Sequence, residues 1–179
     1  MKKKCISILV IAIIILSGIG FLLPSGNTEY LRIHIRANSN AEIDQSVKYA
    51  VKDAVVSFLT PIVAECDTKE KAEAAITDNL KYIEAVADRV LEEKGFTYKS
   101  NAKINNEKFP TRVYDDLTLE SGYYDALIIN LGEGAGNNWW CVVYPPLCFT
   151  GSGNYVYRSK ILEIIRRFNE NKEKNEKIS

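Results

Sequence analysis

Tyr124-Asp125-Ala126-Leu127-Ile128-Ile129-Asn130-Leu131-Gly132-Glu133-Gly134-Ala135-Gly136-Asn137-Asn138-Trp139-Trp140-Cys141-Val142-Val143-Tyr144 contains an apolar strand pattern, a glycine-rich turn and a second strand pattern with both tryptophans of the chain. Read alone, it predicts a hairpin whose second strand is heavily decorated. Trp139 and Trp140 are neighbours on that strand, so one faces the core and the other the opposite side of the sheet. Pro145-Pro146 then ends the strand, and Leu147-Cys148-Phe149 follows the turn. An outward Trp beside a rigid Pro-Pro turn has the composition of an interface hot spot, unless a helix covers that face.

Working outward, Leu31, Ile33 and Ile35 alternate with Arg32, His34 and Arg36, the period of a strand with one buried face, which places His34 on the polar side. Ser39 and Glu42 have capping-box spacing, with Asn40 as a competing cap. Ile43, Val47, Val51, Ala54, Val55, Phe58, Leu59 and Ile62 then recur at three and four, and Pro61 should kink or end that helix. Asp67 and Glu70 repeat the cap spacing before a second stripe from Ala72 to Leu91, closed by Gly95. Strand patterns follow at Tyr98–Ile104, Thr111–Tyr114, Tyr123–Leu131 and Trp139–Tyr144, then a helix at Arg158–Asn169 and a charged end that should fray. This order predicts an α+β domain. It has a mostly antiparallel sheet of four to five strands, a two-helix hairpin inserted after the first strand, and a C-terminal helix.

The chain has 179 residues, 46% hydrophobic and 26% charged, enough for one domain with a real core. Lys2, Lys3 and Lys4 precede an uncharged apolar run from Cys5 to Leu23, so residues 1–27 read as an export signal or an N-terminal membrane anchor. Gly18 and Gly20 suit a cut before Phe21. Ile19 stands where a lipoprotein signal needs its cysteine. The expected organisation is therefore 1–27 for export or anchoring, 28–168 for one α+β domain, and 169–179 for a charged tail. The part after residue 27 carries 20 basic and 23 acidic side chains, which gives no electrostatic footprint for nucleic acid.

Catalytic patterns are sparse. His34 is the single histidine, so no His pair for zinc is available, and any triad would have to be built around that one residue. The Gly132-to-Gly136 run precedes a strand rather than a helix, which favours a turn over a phosphate cradle. Cys141 and Cys148 bracket six residues, and the Pro-Pro turn can bring their Cα atoms to about disulfide distance. A disulfide, two buried thiols and a metal site short of ligands all stay open, while Cys66 is assigned no function.

Leu31-Arg32-Ile33-His34-Ile35-Arg36-Ala37-Asn38-Ser39-Asn40, together with the Asn-Trp-Trp-Cys and Pro-Pro-Leu-Cys-Phe segments, resembles the stage II sporulation protein R family from about Tyr30 to Phe149. The resemblance implies a secreted signalling protein of endospore formation, made in the forespore and exported to the intermembrane space or anchored by residues 5–23. There it would trigger a membrane-embedded aspartyl protease of the mother cell, which processes pro-sigma-E. It implies no enzyme activity and no cofactor. The expected contact region is Glu133, Asn138, Trp139, Trp140, Pro145 and Pro146, with Cys141 and Cys148 holding its shape. The competing expectation is an exported cell-envelope enzyme, a wall hydrolase or thiol-dependent enzyme, using Cys141 or Cys148 with His34.

Overall fold

A computed structural model describes residues 29–114, 117–150 and 155–178. The expected export or anchor segment, and the Asp-Asp turn at 115–116, lie outside the described residues. The elements run in the order β1 (Leu31–Arg36), α1 (Glu42–Val63), α2 (Lys69–Asp78), α3 (Leu80–Glu93), β2 (Ser100–Phe109), β3 (Arg112–Tyr114), β4 (Leu117–Leu119), β5 (Gly122–Leu131), β6 (Asn138–Tyr144), a short 3₁₀ turn (Leu147–Phe149) and α4 (Tyr155–Ile178). The main sheet has the order β2-β5-β1-β6, and β3 and β4 form a separate two-stranded ribbon. Two of the three pairings in the main sheet are antiparallel, and β1 with β5 is parallel. The class is α+β, as the order of patterns implies.

The hairpin expected across the glycine turn does not form. β1 lies between β5 and β6, parallel to the first and antiparallel to the second. The apolar runs Leu31–Ile35 and Ala126–Leu131 have enough buried surface to pair directly, and the turn must then span a third strand. Alternation in the sequence records which face is buried, not which strand lies alongside.

One face of the sheet meets the helices. Leu31, Ile33, Ile35, Leu127, Ile129, Leu131, Cys141 and Val143 pack there against Val47, Val51, Val55, Leu59 and Val63 of α1 and Ile83, Ala87 and Leu91 of α3. Each such aliphatic side chain stabilises the fold by roughly 1.5–3 kcal/mol when fully buried. The other face carries a second cluster of Tyr30, Phe109, Leu119, Tyr124, Ala126, Ile128 and Val142, partly roofed by the β3–β4 ribbon. His34, expected on a polar face, is consequently fully buried. Its alternation was read correctly, but a central strand has two covered faces.

The second predicted helix is two helices. The chain leaves helical geometry at Asn79, whose Nδ2 donates to Ala75 O at 2.8 Å, and resumes with Ile83 N–H bonding Asn79 O. That back-bonding is how Asn competes with the helix ladder. The cap of α2 is Thr68, which accepts from Lys71 N, rather than Asp67. Pro61 falls in the last turn of α1, which ends at Val63. α4 runs through the segment expected to fray, reaching Ile178. The Arg166–Glu170 and Arg167–Glu163 pairs support it, and Lys172 Nζ reaches Tyr30 OH at 3.3 Å.

Candidate functional site

The two stretches singled out in the sequence, Leu31–Asn40 and Asn137–Phe149, are adjacent in space. β1 and β6 pair Ile35 with Trp139, His34 with Trp140 and Arg36 with Asn138. Past the ends of these strands, the loop Ala37–Asn40 clasps the glycine turn. Gly136 N–H donates to Ala37 O at 2.9 Å and Ala135 N–H to Asn38 O at 3.2 Å. Asn38 Oδ1 accepts from Glu133 N–H at 3.0 Å, and Asn40 Oδ1 from Asn137 N–H at 2.8 Å. The approach is close enough to require glycine. A Cβ on Gly136 would lie 2.2 Å from Ser39 O, and one on Gly132 would lie 2.3 Å from Asn38 Oδ1 in a backbone with φ of +56°.

Asp44, in the first turn of α1, anchors this clasp. Its carboxylate accepts from Ser39 Oγ at 2.6 Å, Tyr98 OH at 2.6 Å and Asn38 Nδ2 at 3.1 Å. Burial alone would raise its pKa, but the hydrogen bonds from Ser39, Tyr98 and Asn38 outweigh it and hold the carboxyl below its usual range. The same carboxylate helps push the Tyr98 phenol up, although desolvation is the larger cause there. Lys48, also buried, donates to Asn137 O at 3.0 Å and to Gln45 Oε1 at 2.7 Å, and desolvation lowers its pKa. Neither Asp44 nor Lys48 was found by sequence reasoning. Their only signal was two charged residues among the hydrophobic positions of one helix.

Beneath Trp140 lies a buried cationic and aromatic layer. The Arg32 guanidinium donates to Tyr114 OH at 2.6 Å and sits over Phe109 at 4.4 Å and Tyr124 at 4.8 Å. His34 lies between Phe109 and Trp140, with ring centroids at 5.3 and 4.7 Å. Its pKa falls to about 3, first through burial and then through Arg36, Arg32 and Lys103, so the imidazole is neutral. The 3.3 Å approach of its Nε2 to Glu107 is therefore not an ion pair; Glu107 instead accepts from Arg36 Nη2 at 2.5 Å.

The sequence-predicted contact residues fare unequally. Glu133 is exposed at the clasp, Asn138, Trp139 and Trp140 are half-buried, and Pro145 and Pro146 are buried. The two prolines follow β6 inward and offer no surface to a partner in this form; they shape the turn. Trp139 faces the helices, where Lys52 Nζ lies 5.9 Å from its ring, and Trp140 faces the other layer. Cys141 and Cys148 are joined across the turn with Cα atoms 6.2 Å apart, and Val142 N–H donates to Cys148 Sγ at 3.1 Å.

The Cys–His enzyme arrangement does not assemble. His34 is on the aromatic face, whereas Cys141 and Cys148 pack with the helix-side core, so the sheet separates imidazole from sulfur. Cys66 is a buried thiol whose pKa is raised chiefly by desolvation, which favours the unreactive form. Among the described residues no group of three His, Cys, Asp or Glu side chains is placed to hold a metal ion. No helix among them is long and apolar enough to cross a membrane. A cleft of about 620 Å³ opens at the other end of β6, between Thr68, Lys69, Tyr144, Phe168 and Lys172, away from the clasp.

Residues 27–154 match the model of the family described as Stage II sporulation protein R (spore_II_R). The Stage II sporulation protein R of Bacillus subtilis (strain 168) is 36% identical over 124 residues, which is 69% of this chain and 55% of that protein. The chain thus spans about half the length of the curated relative it matches. No solved structure matches. The family match takes in β1, β6 and the clasp and stops before α4.

Proposed function

We propose, from the premise that the chain belongs to the stage II sporulation protein R family, that it is an exported signal between the two compartments of a sporulating cell. On this reading it is made in the forespore and acts in the intermembrane space. There it binds the membrane-embedded aspartyl protease of the mother cell and shifts it toward the state that processes pro-sigma-E. A ligand can do this only by binding the active state better than the inactive one. Residues 1–27 would serve its export.

The observation that carries the reading is the clasp. The two stretches of family resemblance, 90 or so residues apart in sequence, are locked side by side by Asn38, Asn40, Gly132, Gly136 and Asp44 into one surface. The surface presents Glu133 and Asn138, and the adjoining strand carries half-buried Trp139 and Trp140 on its two opposite faces, a composition suited to recognition. The buried, neutral His34 and the linked cysteines leave that surface without a nucleophile and base in reach of each other.

The test is co-expression of the full chain with the protease and its pro-sigma substrate in a non-sporulating host, with immunoblotting for the shortened sigma factor. Cleavage that depends on the chain is expected, and it should survive His34→Phe. Trp140→Ala is expected to lower cleavage at least tenfold while the far-ultraviolet circular dichroism spectrum is kept. Chain-independent cleavage, or none with exported and folded protein, refutes the reading.

A further inference from the structure

The two edges of the main sheet are finished differently. Along β2, Ser100 N–H and Ala102 N–H point away from β5 and are taken by carboxylates of α3, Asp88 at 2.6 Å and Glu84 at 2.9 Å. Lys103 and Lys108 add charge to the same strand. These are the usual devices that keep an edge from pairing.

β6, the opposite edge, has neither device. Val142 N–H bonds Cys148 Sγ and so points away from β1, whereas Asn137 O accepts from Ala37 N–H and points toward it. The two-residue period then directs the backbone groups of Asn138 and Trp140 outward. The short distance between the Trp140 and His34 rings fits a non-hydrogen-bonded pair at this position. The disulfide loop closes the edge at Val142 and stops there. Among the described residues nothing bonds the outward amides at 138 and 140, and the strand Asn-Trp-Trp-Cys-Val-Val-Tyr holds no charged residue.

The two aromatic side chains flanking this open stretch each have a cation nearby. Arg112 lies 5.9 Å from the Trp140 ring and Lys52 lies 5.9 Å from the Trp139 ring. Lys52 is paired with Asp53, but Arg112 has no carboxylate partner among the described residues. An added strand would place alternate side chains beside Trp140 and Arg112 on one face and beside Trp139 on the other. An acidic side chain suits the first of these positions.

We propose that the open edge at Asn138–Trp140 takes an extended segment of the partner protein as an added strand, with an acidic side chain set against Arg112. A second copy pairing its own β6 edge here would bring no acid to Arg112, because β6 contains none, which disfavours a symmetric edge dimer. The occupant is not the chain's own leader, because residues 1–28 contain no Asp or Glu. Main-chain hydrogen bonds supply affinity in this mode, and the flanking side chains supply specificity. The inference rests on the proposed function for the identity of the partner.

The test uses the full chain in the co-expression assay with the protease and pro-sigma substrate, plus amide hydrogen exchange of the chain with and without the protease. Asn138→Pro removes one outward donor at a position where an edge strand accommodates proline. It is expected to lower cleavage about tenfold, the effect of one lost hydrogen bond, with the urea midpoint near that of the parent. Arg112→Glu, off the strand, is expected to lower cleavage similarly, and the Trp140 amide is expected to gain protection when the protease is present. Parental cleavage by either folded variant, or unchanged exchange at Trp140 in the complex, overturns the edge docking while leaving the signalling role intact. If Asn138→Pro fails to fold, Arg112→Glu and the exchange measurement decide. No cleavage with the parent chain overturns the signalling role and, with it, this partner.

Discussion

Replacing Asp44 with alanine should loosen the clasp more than any other single truncation outside the core. The side chain is 5% exposed and accepts three hydrogen bonds, two of them at 2.6 Å. Hydrogen bonds to a charged group contribute about 1.5–3 kcal/mol each, and a first-turn carboxylate adds roughly 0.3–1 kcal/mol through the helix dipole. Water can reach Ser39 and Asn38 once the carboxylate is gone, so the expected net loss is about 3 kcal/mol rather than the sum. In a domain of this size that corresponds to a fall of roughly 6–12 °C in the thermal midpoint. Urea unfolding followed by fluorescence of Trp139 and Trp140 measures it directly. The loss must also depend on pH in one direction. The folded pKa of Asp44 is depressed, so its contribution is fully present above the unfolded value of about 3.9 and fades as pH falls through the folded one. Parent and variant should converge in acid. A loss under about 0.5 kcal/mol at neutral pH, a size typical of plain surface substitutions, would refute the hub role.

Gly136→Ala puts a methyl 2.2 Å from a backbone oxygen, so it should cost about 1–3 kcal/mol in urea unfolding; a neutral result would mean that the clasp is not this tight. His34 is buried and neutral with a pKa near 3, so the unfolded state binds its proton first on acidification. The stability it allows is complete above about pH 6.5 and declines toward pH 3 by up to about 1.4 kcal/mol per unit. His34→Phe should flatten that slope in a series of urea midpoints, and an unchanged slope would contradict a buried neutral imidazole. Replacing Cys141 and Cys148 together by serine, or adding reductant to the parent, should lower stability by about 2–3 kcal/mol, because the bond closes a short loop in the unfolded chain. Reductant without effect on the parent would mean that the thiols are already free.

Much of the domain could be read from its residues because the relevant physics is local. The valine and isoleucine spacing in α1, the alternation in β1, the apolar run of β5 and the positive-φ glycine closing α3 each depend on a few neighbouring positions. The helix break at Asn79 was missed because a single back-bonding side chain, not the apolar stripe, decides it. Persistence of α4 past Asn169 was missed because ion pairs at i, i+4 and the tether from Lys172 to Tyr30 offset its polarity. At the candidate site, Trp139, Trp140, Asn138 and Glu133 were visible as unusual residues beside a turn. Arg32, Asp44 and Lys48 were not, because a charged residue in a strand or helix pattern reads as solvated until something is packed over it.

The sequence by itself determined the class of the domain, the helical or extended character of most of its segments, the opposite facing of the two tryptophans and the two stretches that carry the family. Tertiary structure alone decided that β1 enters between β5 and β6. Burial of apolar faces is recorded in the spacing of side chains, but strand order is settled only when the whole sheet competes for partners. That one insertion brings the distant stretches together, buries His34 and Arg32 on the second face and leaves the tryptophan strand at an open edge.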